Sequence, residues 1–307
     1  MTEDEITAIE ANLFTHVRDL VRGEPAFPWH RDKAKAVTAS QIVSSQALAV
    51  DFFGTINRLA SRDQIVSDWV RHWDLNLGKT WEIELESKVP KDLLGEPTST
   101  QIDALARGPS GLIAFECKFT ERDGGSCSQP IPLSAGKNEG RRQCNGNYED
   151  QPNPVNGTRS QCSLTGKGVR YWELVPEVMN IDPNRDHTPC PFSGGWYQWM
   201  RNLVAALALG SKYHVPAAFV VVYVDGPFPM AQKIRSADWA RLVAAVDGRS
   251  VPLRTASYQQ LLASARAAAQ PRDLRVIEEL AVWMTHKQET AAEQLSRGTR
   301  AVFGEPA

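Results

Sequence analysis

The tightest constraint on this chain is a hairpin written between Thr98 and Phe119. Thr98 to Arg107 and Leu112 to Phe119 read as strands, and Gly108-Pro109-Ser110-Gly111 between them is a turn signal. A loop of that length pairs Leu105 with Ala114 and sets Asp103 directly opposite Glu116. Strand period two then puts Glu116 and Lys118 on one face with Asp103 beside them. Like charges opposite one another destabilise a sheet, and a buried carboxylate is costly unless paired. The strand Leu-Ile-Ala-Phe-Glu-Cys-Lys-Phe is otherwise continuously apolar, the pattern of a strand covered on both faces. Two carboxylates and an amine in such a strand pair call for a cation, and mark a candidate active site.

The rest of the chain reads as alternating layers around this hairpin. Thr2-Glu-Asp-Glu5 fits a capping box before a helix carrying Ile6, Ile9, Leu13, Val17 and Leu20 that closes near Gly23. Ser44 to Leu59 and Arg62 to Trp73 read as further helices. Trp81 to Val89 alternates apolar residues with Glu82, Glu84, Glu86 and Lys88, a half-buried strand with a wet face. Gly195 to Leu209 reads as an amphipathic helix stopped by Gly210, and Ala217 to Asp225 as a buried strand. Beyond it the chain reads as helical, over Ser236 to Asp247, Ser257 to Ala269 and Asp273 to Ser296.

Asp74, Glu86 and Lys88 reproduce the Asp/Glu-x-Lys spacing, so spacing alone does not select a site. Asp74 lies near a helix end with no strand before it, and Glu86 and Lys88 fall on the wet face, so all three read as solvated; the alternative for Glu86 is that it points toward the metal from the neighbouring strand.

The order helix, amphipathic strand, Asp strand, Glu-x-Lys strand, helix, strand, from about Ser44 to Asp225, resembles the PD-(D/E)XK nuclease superfamily. Gln101-Ile102-Asp103 stands where that family usually has Pro-Asp, and Glu116-Cys117-Lys118 matches the second half. Ser44-Ser45-Gln46 together with Lys118 to Glu121 is similar to restriction-endonuclease-like bacterial proteins. The resemblance implies an α/β fold, a restriction-endonuclease-like core with a mixed central sheet flanked by helices. It implies one nuclease domain over 1–307: an N-terminal helical extension (1–43), the core (44–119 and 195–226), a Cys-containing insertion (120–194) and a C-terminal helical region (227–307).

It also implies roles. Asp103 and Glu116 would ligate Mg²⁺ or Mn²⁺, and Lys118 would orient water or stabilise charge on the phosphate. Gln198 matches a glutamine that RecB-type nucleases place near the metals, although their following Tyr is replaced by Asn202. Gln46 lies on a helix where related nucleases carry a Glu. The reaction expected is hydrolysis of DNA phosphodiesters by an endonuclease; the alternative is a nucleic-acid-binding protein with a vestigial nuclease core. With one site per chain, cutting both strands favours a homodimer.

Five cysteines are present, and Cys117 is accounted for by packing behind the active-site strand. Cys127, Cys144, Cys162 and Cys190 fall in the irregular stretch from Thr120 to Gly194, which is too long to be a structureless loop and needs an organising element. Four thiolates suit a structural Zn²⁺ or an iron–sulfur cluster, and some CRISPR-associated and RecB-type nucleases carry such a cluster beside this core. There is no Cys-x-x-Cys, His187 is an alternative ligand, and free thiols in a loop packed by Tyr148, Tyr171, Trp172 and Phe192 are the competing reading. Arg141, Arg142, Lys167 and Arg170, with Lys137 and Arg159 nearby, and Arg201 on the following helix, are the candidate DNA contacts. A plain solvated surface is the other reading.

A formal net charge of −2 over 307 residues gives no global field for nucleic acid, so local patches must serve. No run approaches the roughly 20 apolar residues of a membrane span, and the acidic start lacks a secretory pattern, so the expected location is cytoplasmic.

Overall fold

A computed structural model describes residues 1–136, 139–146, 162–181 and 190–303, with the side chains of 298–303 set aside. Lys137, Tyr148, Arg159 and His187 therefore lie outside the described residues.

Five strands, β1 (Glu82–Lys88), β2 (Gln101–Gly108), β3 (Gly111–Lys118), β4 (Ala217–Tyr223) and β5 (Leu253–Ser257), form one sheet in chain order. β1, β2 and β3 are an antiparallel meander, whereas β3, β4 and β5 run parallel. The hairpin register is the one read from the turn, with Leu105 opposite Ala114 and Gly108 opposite Gly111. Every residue of β3 is buried, because parallel neighbours need helical crossovers that cover both faces.

Along the chain the helices are α1 (Glu3–Ala11), α2 (Ser45–Ala49), α3 (Thr55–Arg58), α4 (Arg62–His72), α5 (Lys91–Leu94), α6 (Tyr171–Val178), α7 (Tyr197–Tyr213), α8 (Pro229–Ile234), α9 (Ala237–Val246), α10 (Tyr258–Ala268) and α11 (Pro271–Phe303). One face of the sheet packs on residues from α1, α2, α4, α10 and α11 around Phe52, Phe53, Trp69 and Phe115. The other packs on α6, α7 and α9 around Trp199, Leu203 and Phe219. The mixed sheet flanked by helices is the architecture expected from the sequence.

Several local expectations change. The Thr2/Glu5 capping box is present, but the helix stops at Ala11. There the Asn12 amide reaches the carbonyls of Ala39 and Gln41, and the chain continues as a 3₁₀ turn over Thr15–Arg22. α2 and α3 are joined by a wide π turn, Val50–Gly54. α7 passes through Gly210 and ends when His214 adopts φ 57°. A Cβ at Gly210 would stand 2.8 Å from the Val215 carbonyl oxygen, so that glycine serves close approach and not termination. The insertion holds α6, whose two turns are masked in sequence by Pro176. The C-terminal stretch, read as helical, also supplies β5, a five-residue strand too short for its alternation to register.

Candidate active site

Glu86, Asp103 and Glu116 lie at one level of three adjacent strands, at the end of the sheet where parallel β3 and β4 finish. The registers flanking that level, Leu85 with Ala104, Ser87 with Ile102, and Ala104 with Phe115, fix the alignment. Crevices outside the carboxyl ends of strands are where open α/β sheets take ligands. The ladder loosens at this level. Asp103 turns Oδ2 onto the Cys117 N–H, 2.6 Å away, and Glu86 adopts φ 50°, left-handed space that a non-glycine side chain occupies only under constraint. Three consecutive residues of β1, starting at Leu85, are then at least half-buried, and the Glu86 carboxylate leaves the wet face.

That corrects the reading of Glu86 as solvated: it is 5% exposed. Gln46 Nε2 donates to its Oε1 at 2.7 Å and His30 Nε2 lies 3.1 Å from its Oε2. Gln46 is fixed in turn by the His30 N–H, which donates to its Oε1 at 2.8 Å, and by the Pro28 carbonyl. Among the described residues the Gln46 side chain is thus hydrogen-bonded to Glu86, the Pro28 carbonyl and the His30 N–H, and not to Asp103 or Glu116. The Glu86 side chain raises the His30 imidazole pKa by hydrogen bonding; burial opposes this, and the Glu86 and Glu116 charges reinforce it. Asp74 and Lys88, the rest of the rival motif, are exposed.

On β3, Lys118 Nζ meets Glu116 Oε1 at 2.6 Å, both side chains being 5% exposed. α7 completes the arrangement. Gln198 Oε1 accepts from Lys118 Nζ at 2.9 Å, and Asn202 Nδ2 donates to Glu116 Oε2 at 2.5 Å. One helical turn separates these two amides, so a single face of α7 grips both the lysine and the glutamate. Burial works against the Lys118 charge, but Glu116, Glu121 and Asp103 outweigh it and hold the amine above its ordinary range. Glu121 accepts from the Phe119 and Thr120 N–H groups just beyond the strand.

Asp103 goes the other way. Burial, then the charges of Glu116 and Glu86, push its carboxyl well above the ordinary carboxylate range, against the pull of Lys118 and the Cys117 N–H. No described residue donates to its Oδ1. The site is short of positive charge, and its donors are hard oxygens, the type that Mg²⁺ and Mn²⁺ take. Among the described residues, no three His, Cys, Asp or Glu side chains form a ready-made metal-holding group, so the fit rests on donor type and charge deficit.

The family model described as "Restriction Endonuclease associating with ARP" matches residues 4–281. The chain belongs to this REase-ARP family. No curated protein and no solved structure matches it significantly. Among the described residues no helix of this family member is long and apolar enough to cross a membrane.

Of the other candidates, Lys167, Arg170 and Arg201 have partners of their own. In this REase-ARP protein Arg141, Arg142, Lys167 and Arg170 are exposed, and Arg170 pairs with Glu173 at 2.7 Å. Lys167 donates to the side chains of Gln129 and Gln143. Arg201 is half-buried on α7 with its guanidinium 5.9 Å from the Tyr197 ring. Sequence reasoning leaves Glu86 mainly on the wet face and Asn202 only as the residue in place of a family Tyr, and it misses His30. Glu86 was findable, since extending the β1–β2 pairing sets it opposite Asp103. His30, in an irregular Pro-Trp-His segment, carries no such signal.

Proposed function

We propose that this protein is a divalent-metal-dependent DNA endonuclease of the PD-(D/E)XK type. The observation that carries the reading is the carboxylate row of buried Glu86, half-buried Asp103 and buried Glu116, with Lys118 paired to Glu116 beside it. Asp103 and Glu116, with Glu86 as a third carboxylate, would hold Mg²⁺ or Mn²⁺. Such an ion supplies Lewis-acid polarisation of a phosphoryl oxygen and lowers the pKa of bound water.

The chain's own residues do the positioning. Lys118 carries three N–H donors, of which Glu116 and Gln198 engage two, leaving one to meet a phosphate oxygen. Because the surrounding carboxylates keep that amine protonated, it serves as an electrostatic stabiliser of charge on the phosphate and not as a base. Asn202 holds Glu116, and Gln46 holds Glu86, in fixed rotamers, so little reorganisation is needed when substrate arrives. Arg201, Arg141, Arg142, Lys167 and Arg170 are the cationic side chains on hand for backbone phosphates. Two copies acting together would cut both strands.

The test is plasmid cleavage with Mg²⁺ or Mn²⁺ by wild type, Asp103→Ala and Lys118→Ala. Each variant is expected to lose at least about 100-fold in rate, the scale of a removed electrostatic stabiliser. Equal activity in all three sinks the assignment, and DNA binding without cleavage under any divalent ion would instead mark a vestigial core.

A further inference from the structure

Three cysteines of the insertion are built alike. The Cys144 sulfur accepts the N–H of Gly146 at 3.3 Å. The sulfurs of Cys127 and Cys190 likewise accept backbone N–H groups two residues on, from Gln129 and Phe192. These three turns are also bonded to one another. The Cys144 N–H donates to the Gln129 carbonyl at 3.0 Å, the Cys190 N–H to the Gly146 carbonyl at 2.7 Å, and the Cys127 N–H to the Phe192 carbonyl at 3.3 Å.

Each cysteine therefore donates to the residue whose own amide caps another cysteine's sulfur, and the three bonds close a ring. A repeated turn joined head to tail ties the backbones of the three cysteines into one frame. Cys162 is the fourth: burial pushes the Cys127, Cys144 and Cys190 thiols up, and the Cys162 charge adds to that at each of them. Lys167 lies in the same neighbourhood, tied to Gln129 and Gln143 and acting on Cys127 and Cys162.

Amide donors on sulfur stabilise a thiolate far more than a neutral thiol, and a nearby ammonium offsets the surplus negative charge of a four-thiolate site. None of the four is in a disulfide. We propose that Cys127, Cys144, Cys162 and Cys190 bind one thiophilic metal centre, a tetrathiolate Zn²⁺ or an iron–sulfur cluster, on this ring of backbone turns. The side chains do not form a metal-holding group as they stand; the ring supplies the frame, and χ1 rotation is the freedom each thiol has to turn inward. Binding releases the thiol protons. The centre would organise a stretch with little apolar core of its own.

The test uses full-length protein purified without oxygen, with zinc, iron and acid-labile sulfide measured alongside the visible spectrum. About one centre per chain is expected. Zinc without colour identifies the tetrathiolate, and iron with sulfide and broad visible absorption identifies the cluster. The Cys127→Ser/Cys144→Ser variant should lose the metal, while Asp103→Ala, which disables the proposed nuclease site, should retain it. Folded wild-type protein free of zinc and iron, or disulfides among these four residues by mass spectrometry, would overturn the proposal whether or not the serine variant folds.

Discussion

Glu86 holds a backbone conformation that costs a non-glycine residue of order 1–3 kcal/mol, and what it gains is a place opposite Asp103 with Gln46 and His30 as partners. Because His30 titrates above its ordinary 6.5, its pairing with Glu86 is at full strength below that pH and is lost as pH rises through the raised value. An NMR titration of the His30 ring should show a midpoint above 6.5 in metal-free protein and a lower one in Glu86→Gln. An unchanged midpoint would remove Glu86 as its cause. Asp103 shows the same sign of pH dependence from a different cause, burial beside like charges. Its folded-state pKa lies above its unfolded one, so stability declines as pH rises across that interval. Asp103→Asn keeps an oxygen for the Cys117 N–H and ends the repulsion from Glu86 and Glu116. Calorimetry without metal should find it more stable than wild type, its melting temperature higher by about 2–4 °C for each kcal/mol gained, while cleavage is lost. A lower melting temperature would contradict the like-charge account.

Two elements hold the site's frame. The hairpin turn is overlain by the chain entering β1, and a Cβ on Gly108 would stand 2.0 Å from the Thr80 carbonyl oxygen. The π turn between α2 and α3 buries Asp51, which accepts from Lys287 Nζ at 2.6 Å, Trp283 Nε1 at 2.8 Å and the Phe14 N–H at 2.7 Å. Lys287→Met leaves that carboxylate uncompensated and should cost about 3–5 kcal/mol in urea unfolding. A loss below about 1 kcal/mol would show the pair to be incidental.

The hairpin was legible because turn chemistry and burial agreed on one register, and with it came Asp103, Glu116 and Lys118. The α7 residue Gln198 came from the resemblance to RecB-type nucleases, because helical spacing alone leaves that face of α7 looking solvated. Less readable were features decided by tertiary contact: the strained φ of Glu86, which hides inside a polar alternation, the Asn12 bond that breaks the first helix, and β5, which has five residues and an arginine in it.

Over the whole molecule, α7 connects the two proposed centres. The N–H groups of Tyr197 and Gln198 donate to the carbonyls of Gly125 and Gly124, and Gly124 donates to Gly195, so the start of the helix is stitched to the segment that carries Cys127. Gln198 then reaches Lys118. Disturbing the cysteine ring should therefore reach the nuclease site through this helix. The strand order has a different outcome, one in time. Glu86, Asp103, Glu116 and Lys118 come from a continuous meander, whereas Gln198 follows Lys118 by 80 residues and Asn202 follows Glu116 by 86. At a synthesis rate of about 5–20 residues per second, the nascent chain carries its acidic row for roughly 4–16 s before the amides that steady it have been made.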